Sequence, residues 1–258
     1  MAELTVDRLS LRFGGLIVLE NVTFAAKPGQ LLALIGPNGA GKTSVLNCIS
    51  GIYRGSGEVR LDGEKISGRQ PHEIAALGIA RTFQHGELFP HMSVLDNLLV
   101  GCHTRIRTSA LSEMLFLPKV RKEEIRYREA VERVLDFVEL ERYRYAHVAG
   151  LPFGTQKIVG FARALALEPK LLLLDEPSAG LNRDEREDLA RFILRIKYDL
   201  GISIIWIEHD MQMVADLADH IHVLESGRTL ASGPAETVLN DPRVIEAYLG
   251  VPAAQAAH

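Results

Sequence analysis

The chain has 258 residues, enough for one α/β domain with a large core, and its 47% hydrophobic and 24% charged residues are ordinary for a globular protein. A net charge of −4 excludes a sequence-wide basic surface, so we expect no nucleic-acid partner. Cys48 and Cys102 fit neither a disulfide framework nor a metal cluster, and we expect them to be buried thiols.

The apolar runs of the chain are too short to cross a membrane. Leu31–Ile35, Leu171–Leu174 and Ile202–Ile207 have strand length, whereas a span needs about 18 residues. The first seven residues lack the basic and apolar regions of a signal peptide. We therefore expect a cytoplasmic chain that reaches a membrane only through a partner.

The first quarter of the chain predicts strands. Apolar residues alternate with polar ones from 4 to 13, which predicts a half-buried strand, and a second strand is expected near Val22–Ala26. Val59–Ile66 is typical of a β-hairpin, because its Asp-Gly pair supplies a tight turn. The apolar run Leu31–Ile35 predicts a strand that enters a parallel core.

A glycine-rich segment follows that run directly. Residues 36–43 have the sequence Gly-Pro-Asn-Gly-Ala-Gly-Lys-Thr, the phosphate-binding pattern G-x-x-x-x-G-K-[ST] between a strand and a helix. Its glycines let backbone N–H groups approach phosphate oxygens, and the helix over 42–49 points its positive end at the same anion. The predicted nucleotide-binding residues are Gly36, Pro37, Asn38, Gly39, Ala40, Gly41, Lys42, Thr43 and Ser44.

The pattern assigns separate chemistry to two of these residues. Lys42 is predicted to reach the β- and γ-phosphates, and the Thr43 hydroxyl to bind Mg²⁺. A glycine-rich turn between an ordinary strand and helix is the alternative, which the Lys-Thr pair and the buried strand disfavour. We conclude from the sequence that the chain binds a nucleoside triphosphate.

The middle of the chain has a helical character, and we predict a helical subdomain over 86–166, inserted into the α/β core. Ser93 is a suitable N-cap for a short helix over 93–101. Apolar residues at helical spacing predict a longer helix within 121–142. The stretch 105–119 shows no period, and its structure stays open.

The last third alternates strands and helices. Strands are predicted at 171–175, 202–207 and 221–224, with helices over 189–200 and 211–218. This alternation favours a parallel sheet that binds nucleotide at the carboxyl ends of its strands.

These elements together predict an α/β fold with a P-loop (RecA-like) parallel-sheet core, an N-terminal antiparallel β subdomain and the inserted helical subdomain. One nucleotide-binding domain is expected over residues 1–252. A flexible tail is expected over 253–258.

Two adjacent acids end the buried strand that starts at Leu171. A carboxylate at the tip of such a strand is suited to hold Mg²⁺, so Asp175 is predicted as a metal ligand. Glu176 is then predicted to take a proton from the attacking water. The alternative is a solvated strand terminus without chemistry.

At these residues the sequence resembles a known family. Leu-Leu-Asp-Glu-Pro-Ser at 173–178, preceded by Leu-Pro-Phe-Gly-Thr-Gln at 151–156, is similar to the nucleotide-binding subunit of ABC transporters. The resemblance covers nearly the whole chain, and its elements occur in the family's order. It implies an ATPase that binds ATP and Mg²⁺ and works as a dimer.

The resemblance implies roles for three further residues. Phe13 matches the aromatic residue that stacks on adenine, and Gln84 the glutamine that touches Mg²⁺ and signals to the membrane partner. His209 matches the histidine that contacts the γ-phosphate. Phe13 would otherwise be a core residue, and helix capping by Asp210 is a competing account of the junction at 209.

Two segments match the parts of the family that meet the opposite subunit. The signature segment, which contacts the ATP of the other subunit, is Leu151, Pro152, Phe153, Gly154, Thr155 and Gln156. The dimer-interface loop is Ser178, Ala179, Gly180, Leu181 and Asn182.

The signature segment departs from the family pattern Leu-Ser-Gly-Gly-Gln. Pro152 replaces the serine and can donate neither a hydroxyl nor an N–H hydrogen bond. Phe153 replaces one glycine, Thr155 replaces the glutamine, and Gly154 remains. Because a helix over 155–167 would still aim its dipole at the anion, we expect a weakened half-site that a partner subunit could compensate.

His220 and His222 lie two residues apart on a predicted strand and could share a face, as metal ligands do. The sequence suggests no third ligand near them. The pair is therefore not favoured as a metal site.

Several stretches resemble the ATPases of branched-chain amino-acid importers in particular. They are residues 12–16, the signature segment, residues 207–211, residues 241–250 and the long insert after Gly101. This resemblance implies integral-membrane permease subunits, a second ATPase subunit and, indirectly, a periplasmic or extracellular solute-binding protein as partners. The chain would then lie at the inner face of the cell membrane.

Other systems stay open as alternatives. Urea or amide importers and the ATPase of lipopolysaccharide export are close relatives of that group. Soluble ABC-type ATPases of DNA repair and translation are a further class, but they usually carry a coiled-coil insert or two modules, and this sequence has neither.

Overall fold

The computed structural model describes residues 2–82, 88–102 and 118–249. Within these ranges the chain forms two sheets with helices around them. The strands are β1 (Leu4–Phe13), β2 (Leu16–Ala26), β3 (Leu31–Ile35), β4 (Ser56–Leu61), β5 (Glu64–Lys65), β6 (Ile79–Thr82), β7 (Leu171–Asp175), β8 (Ser203–Ile207), β9 (His220–Glu225) and β10 (Arg228–Pro234). The helices are α1 (Lys42–Ile49), α2 (Pro71–Ala76), α3 (Val94–Gly101), α4 (Pro118–Phe137), α5 (Phe153–Leu165), α6 (Arg183–Tyr198), α7 (Met211–Leu217), α8 (Ala235–Leu239) and α9 (Pro242–Leu249).

The larger sheet has the described strand order β10-β9-β3-β8-β7-β6. Its strands from β9 to β6 pair in parallel, and β10 adds an antiparallel edge. Every residue of β3, β7 and β8 is buried, which explains their continuous apolar sequences. The predicted α/β core is confirmed, and the carboxyl ends of β3 and β7 lie on the same edge of the sheet.

The smaller sheet is antiparallel, with the described order β2-β1-β4-β5. Asp62 and Gly63 both have positive φ, 50° and 80°, as a tight hairpin turn requires, so the predicted hairpin is confirmed. The second strand begins earlier than predicted, at Leu16. Leu16 and Ile17 pair with β1 although both side chains are exposed, and this exposure hid the strand from the alternation pattern.

The helices of the middle region are largely as predicted. Ser93 caps α3, since its hydroxyl accepts the Asp96 N–H at 3.1 Å. The predicted helix within 121–142 is α4, which ends at Phe137, and Glu139 follows with a positive φ of 60°. Residues 103–117 and 83–87 lie outside the described residues, as does the tail 253–258. The division of the chain into a core and a helical subdomain stays a prediction.

The helix predicted over 189–200 differs at both ends. It is α6, which starts at Arg183 and stops at Tyr198. Leu200, expected on its apolar face, follows the helix and is 47% exposed. The start was hidden because the first two turns are almost entirely charged.

One continuous apolar cluster joins the helices of the middle region to the sheet. Val94 of α3, Val131 of α4 and Phe161 of α5 pack with Leu172 and Trp206 of the sheet. A separate apolar cluster, on the same face of the sheet at β3 and β9, packs α7, α8 and α9 against these strands. Cys48 and Cys102 are buried thiols, as expected. Within the described ranges, the helices are all too short or too polar for a membrane span.

Candidate nucleotide site

The phosphate-binding loop joins the end of β3 to the start of α1. Gly36, Gly39 and Gly41 all have positive φ, at 147°, 81° and 101°. A Cβ on Gly36 would overlap the backbone carbonyl oxygen of Leu224, and one on Gly41 would lie 2.7 Å from the Leu19 Cδ2 atom. The N-cap of α1 makes no side-chain hydrogen bond, and its first turn carries no acidic residue. This end of the helix therefore suits an anion.

Lys42 is held at the base of the loop. Its side chain is 6% exposed, and Nζ donates hydrogen bonds to the Gly36 carbonyl at 2.8 Å and the Pro37 carbonyl at 3.0 Å. Burial lowers the pKa of Lys42, while the negative charges of Glu176 and Asp175 oppose the shift. The ammonium group thus feels the negative charge of both strand-end acids, in a site where a phosphate charge would stabilise it further. Thr43 is exposed at the start of α1.

Asp175 is the last residue of β7 and is 4% exposed. Its Oδ2 atom accepts a hydrogen bond from Arg81 Nη2 at 2.8 Å. Its Oδ1 atom is buried and has no hydrogen-bond partner in the described part of the chain. A buried acceptor without a partner is costly, and a cation or its water ligand would satisfy it. The residues present therefore fit a bound Mg²⁺.

Arg81, on β6, was not predicted as a site residue. Besides Asp175, its guanidinium contacts Asn47 Oδ1 at 2.6 Å and Ser50 Oγ at 3.1 Å, both on or next to α1. It thus links the helix of the phosphate loop to the strand-end acid through a buried ion pair. The available signal was a charged residue inside an otherwise apolar strand segment, which often has a buried partner.

Glu176 and His209 face each other at the carboxyl ends of β7 and β8. His209 Nε2 lies 2.8 Å from Glu176 Oε1, within hydrogen-bond distance. Glu176 has a positive φ of 48°, a conformation uncommon for a residue other than glycine, and its N–H donates to the Ile207 carbonyl at 3.0 Å. The two adjacent acids have different partners, because Asp175 contacts Arg81 and Glu176 contacts His209.

The competing account of the junction at 209, helix capping by Asp210, is confirmed. Asp210 Oδ1 accepts the N–H groups of Gln212 and Met213, each at 3.1 Å, and so caps α7. The capping is done by Asp210 alone, which leaves the His209 ring directed at Glu176.

The signature segment packs against the predicted dimer-interface loop of the same chain. Gly154 is buried, and a Cβ there would overlap the Glu185 carboxylate. Lys157 Nζ donates to the carbonyls of Pro177, at 2.9 Å, and Ala179. Both segments are predicted to meet a second subunit, and these contacts place them on one face of the chain.

The helix of this segment starts earlier than predicted. α5 begins at Phe153 rather than 155, with Pro152 as an N-cap that makes no side-chain hydrogen bond. Proline fits this place because its fixed φ is compatible with the start of a helix. The prediction missed this start because the family pattern has glycines here. Phe153 is 56% exposed, and a Cβ on Gly180 would lie 3.1 Å from its ring. Thr155 and Gln156 are half-buried in the first turn.

The predicted interface loop lines one pocket together with Glu176 and His209. Asn182 ends the loop as the N-cap of α6, exchanging hydrogen bonds of 2.9 Å with Glu185 in a capping box. Its side chain is thereby fixed. The pocket is lined by Glu176, Ser178, Ala179, Gly180, Leu181, Arg186, Glu208, His209 and Asp210.

Phe13 ends β1 and is 49% exposed, as a stacking platform would be and a core residue would not. The Tyr53 ring supports it edge-on, with ring centroids 5.1 Å apart. Gln84 lies outside the described residues.

His220 and His222 are engaged by hydroxyl groups of β10. His222 is buried against Phe24, and its Nε2 lies 3.2 Å from Thr229 Oγ1. His220 Nε2 lies 3.1 Å from Ser232 Oγ. Among the residues that the structure describes, no group of three or more His, Cys, Asp or Glu side chains is arranged to hold a metal ion.

Three features define the class of P-loop nucleotide-binding proteins. They are a parallel core sheet, a glycine-rich loop with a buried lysine after β3, and an acid at the tip of β7, which lies two strands away in the sheet. The comparison with known proteins is more specific. The chain belongs to the ABC transporter family, whose model matches residues 19–179. It is therefore an ATP-binding cassette with the ATPase activity of that family.

A second model, described as a branched-chain amino acid ATP-binding cassette transporter, matches residues 228–254. The chain is 40% identical to the high-affinity branched-chain amino acid transport ATP-binding protein BraF of Pseudomonas aeruginosa, over 96% of this chain and 97% of the relative. It is 39% identical to LivG of Escherichia coli K12, a protein with the same description, with the same two coverages. The sequence resemblance to this group is confirmed.

A solved structure supports the same assignment. The fold matches the ADP conformation of an ATP-binding cassette of an ABC transporter with a TM-score of 0.84 and 31% identity. The match covers 97% of this chain and all of that one.

Proposed function

We propose that this chain is the ATP-hydrolysing subunit of an importer of branched-chain or related amino acids. The match of residues 228–254 to the branched-chain model carries this proposal, because that segment lies outside the general ABC transporter match. The names of the relatives, which align along nearly the whole chain, support it.

In this function the phosphate loop, residues 36–44, receives the triphosphate of ATP. Lys42 exchanges its contacts with the Gly36 and Pro37 carbonyls for the β- and γ-phosphates, which compensate its buried charge. Phe13 supplies an exposed face for adenine, and Tyr53 keeps its ring in place.

Thr43, Gln84 and Asp175 would hold Mg²⁺. The buried Oδ1 atom of Asp175, which has no partner within the described ranges, supports this assignment. The ion supplies neutralisation of the charge that develops on the phosphates. Arg81 holds the other oxygen of Asp175 and so fixes the orientation of the carboxylate.

Glu176 is the proposed general base, with His209 beside it. The 2.8 Å separation between His209 Nε2 and Glu176 Oε1 supports a joint role at one reacting water. The imidazole orients the carboxylate and, in the proposed role, contacts the γ-phosphate.

A second subunit would complete the pocket. The signature segment, residues 151–156, and the loop 178–182 lie together and are proposed to face the ATP of that subunit. Since Pro152 offers no hydrogen-bond donor, the partner ATPase is proposed to carry the stronger signature. Permease subunits would anchor the pair at the inner face of the cell membrane, and a solute-binding protein would deliver the amino acid.

Reconstitution tests the proposal. The chain is co-expressed with candidate permeases and a candidate second ATPase from the same genome, placed in liposomes, and supplied with a candidate solute-binding protein and leucine. We expect co-purification and leucine-stimulated ATP hydrolysis with uptake, both abolished by Lys42→Ala. Stimulation by urea or an amide instead, or a chain that copurifies with no permease, would contradict the amino-acid assignment.

A further inference from the structure

The C-terminal helix α9 contacts the phosphate loop through one tyrosine. Tyr248 is half-buried, and its ring packs on the apolar cluster that includes Ile35, Val223 and Val244. Its hydroxyl oxygen accepts the backbone N–H of Gly36 at 2.6 Å. A residue 212 positions away in sequence is thereby bonded to the first residue of the loop.

The Gly36 peptide group has little freedom in this place. Gly36 is buried, so its N–H needs an acceptor. The Leu224 carbonyl closes the space where a side chain would stand. On the other side of the residue, the Gly36 carbonyl accepts a hydrogen bond from Lys42 Nζ at 2.8 Å. Tyr248, Gly36 and Lys42 therefore form one chain of contacts from α9 to the lysine that is proposed to bind phosphate.

We propose that Tyr248 is a positioning residue for the phosphate loop, whose hydroxyl fixes the Gly36 peptide and so sets the affinity for nucleotide. The proposal rests on nucleotide binding at this loop and deepens it. It also suggests a role for the segment 228–254, which contains Tyr248 and matches the branched-chain model. That segment would prepare the loop of its own subunit before nucleotide arrives.

The physical basis is pre-organisation. Without the hydroxyl, the buried Gly36 N–H loses its acceptor, and the loop can recover it only by rotating the peptide or admitting water. Either change shifts the carbonyl that holds Lys42. ATP or ADP must then order the loop on binding, which weakens the affinity without altering the catalytic groups.

The contact does not depend on pH near neutrality. Burial raises the pKa of Tyr248 to about 12, although the hydrogen bond from Gly36 opposes the shift. The hydroxyl therefore stays neutral wherever the protein would be assayed.

The simpler alternative is that the hydrogen bond only anchors α9. Two variants separate the two roles. Tyr248→Phe removes the hydroxyl and keeps the ring, whereas Val244→Ala loosens the same helix in the same cluster without touching Gly36. Both are tested for melting temperature, for ATP and ADP affinity by calorimetric titration, and for amide hydrogen exchange in the peptide that spans 36–42.

We expect Tyr248→Phe to raise the dissociation constants of ATP and ADP about 3- to 10-fold, the weight of one hydrogen bond, with kcat changed less than about twofold. Exchange in the loop peptide should accelerate. Val244→Ala should lower the melting temperature but keep nucleotide affinity within about twofold of wild type.

Unchanged affinity in Tyr248→Phe, or an equal loss in both variants, would overturn the positioning role while the proposed function stands. A wild-type chain that binds neither nucleotide would contradict the proposed function, and this inference with it.

Discussion

The phosphate loop and the signature segment are two loops of similar design, since each leads into the N-terminus of a helix. In the phosphate loop the family pattern is complete, and the space around Gly36 is limited by the backbone of β9. In the signature segment the pattern is incomplete, and the space around Gly154 is limited by the Glu185 side chain. Gly36 is thus limited by backbone atoms and Gly154 by a side chain.

This difference explains which of the two tolerates change. Backbone that belongs to a central parallel strand cannot shift without breaking the sheet, so the loop beside it admits few sequences. At Gly154 the limit is the Glu185 side chain, whereas Pro152 and Phe153 are exposed, and the segment still starts a helix. The predictions below test this contrast, beginning with the largest expected effect.

The chemistry should depend on Glu176, which lies between the two loops. Glu176→Gln keeps the hydrogen bond to His209 possible but removes the base, so hydrolysis should fall by about 10²–10⁴ while ATP binding persists. Turnover and nucleotide titration measure the two effects. Glu187→Gln, on the exposed surface of α6, is the matched control and should behave as wild type. Normal turnover in Glu176→Gln would exclude it as the base.

The contrast itself is tested by two alanine substitutions. Gly36→Ala forces a Cβ against the Leu224 carbonyl at a φ of 147°, and we expect a loss of about 3 kcal/mol or more of unfolding free energy. Gly154→Ala displaces only the Glu185 carboxylate and should cost about 1 kcal/mol, the weight of a weakened cap. Urea titration measures both. Equal losses would refute the distinction between backbone and side-chain limits.

Acid should weaken the side of the molecule that supports the phosphate loop. His222, on β9, is buried, and its desolvation lowers its pKa from an ordinary value near 6.5 to about 4. On acidification, His222 is protonated at a higher pH in the unfolded chain than in the folded chain. The contribution of the neutral His222 to the unfolding free energy is therefore full above pH 6.5 and is lost as the pH falls towards 4. We expect about 2 kcal/mol of loss between about pH 7 and pH 5 from this group.

The variant His222→Gln isolates that contribution, because the other titrating groups are common to both chains. Urea titrations of wild type and variant are compared at the two pH values. The variant should lose less stability than wild type on acidification. The same pH dependence in both chains would show that His222 is not the group responsible.

The smallest effect is expected from a substitution that restores part of the signature. In a Glu176→Gln background, Pro152→Ser adds a hydroxyl where a second subunit's phosphate is proposed to lie, and should strengthen ATP-induced dimerisation about 5-fold, or about 1 kcal/mol. Pro152→Ala restores the backbone N–H, as serine does, but adds no hydroxyl, and it is therefore the matched control. Sedimentation velocity measures the dimer. If alanine strengthens dimerisation as much as serine does, the hydroxyl makes no phosphate contact.

The buried sheet and the phosphate site could be predicted because both depend on the pattern of neighbouring residues along the chain. The apolar runs of β3, β7 and β8 identify a buried sheet, and the loop pattern locates the phosphate site. The family resemblance was equally visible from short motifs and is confirmed by the relatives. The roles of Phe13, Gln84 and the signature segment stay predictions.

Other features escaped because distant parts of the chain create them. Arg81 and Asp175 are 94 positions apart, and only the pairing of β6 with β7 shows that they form an ion pair. The early start of β2 was hidden because Leu16 and Ile17 are exposed, and hydrophobic alternation detects only strands with a buried face.

By itself, the sequence determined that this protein has a phosphate-binding loop before a helix, an acid pair after a buried strand, and the motif order of an ABC cassette. Spacing along the chain is sufficient for these, because each is built within one strand–loop–helix unit. Only the tertiary structure decided that Tyr248 holds Gly36, that His209 meets Glu176, and which oxygen of Asp175 has no partner among the described residues. Those contacts join separate elements, and their geometry exists only once the sheet order brings the elements together.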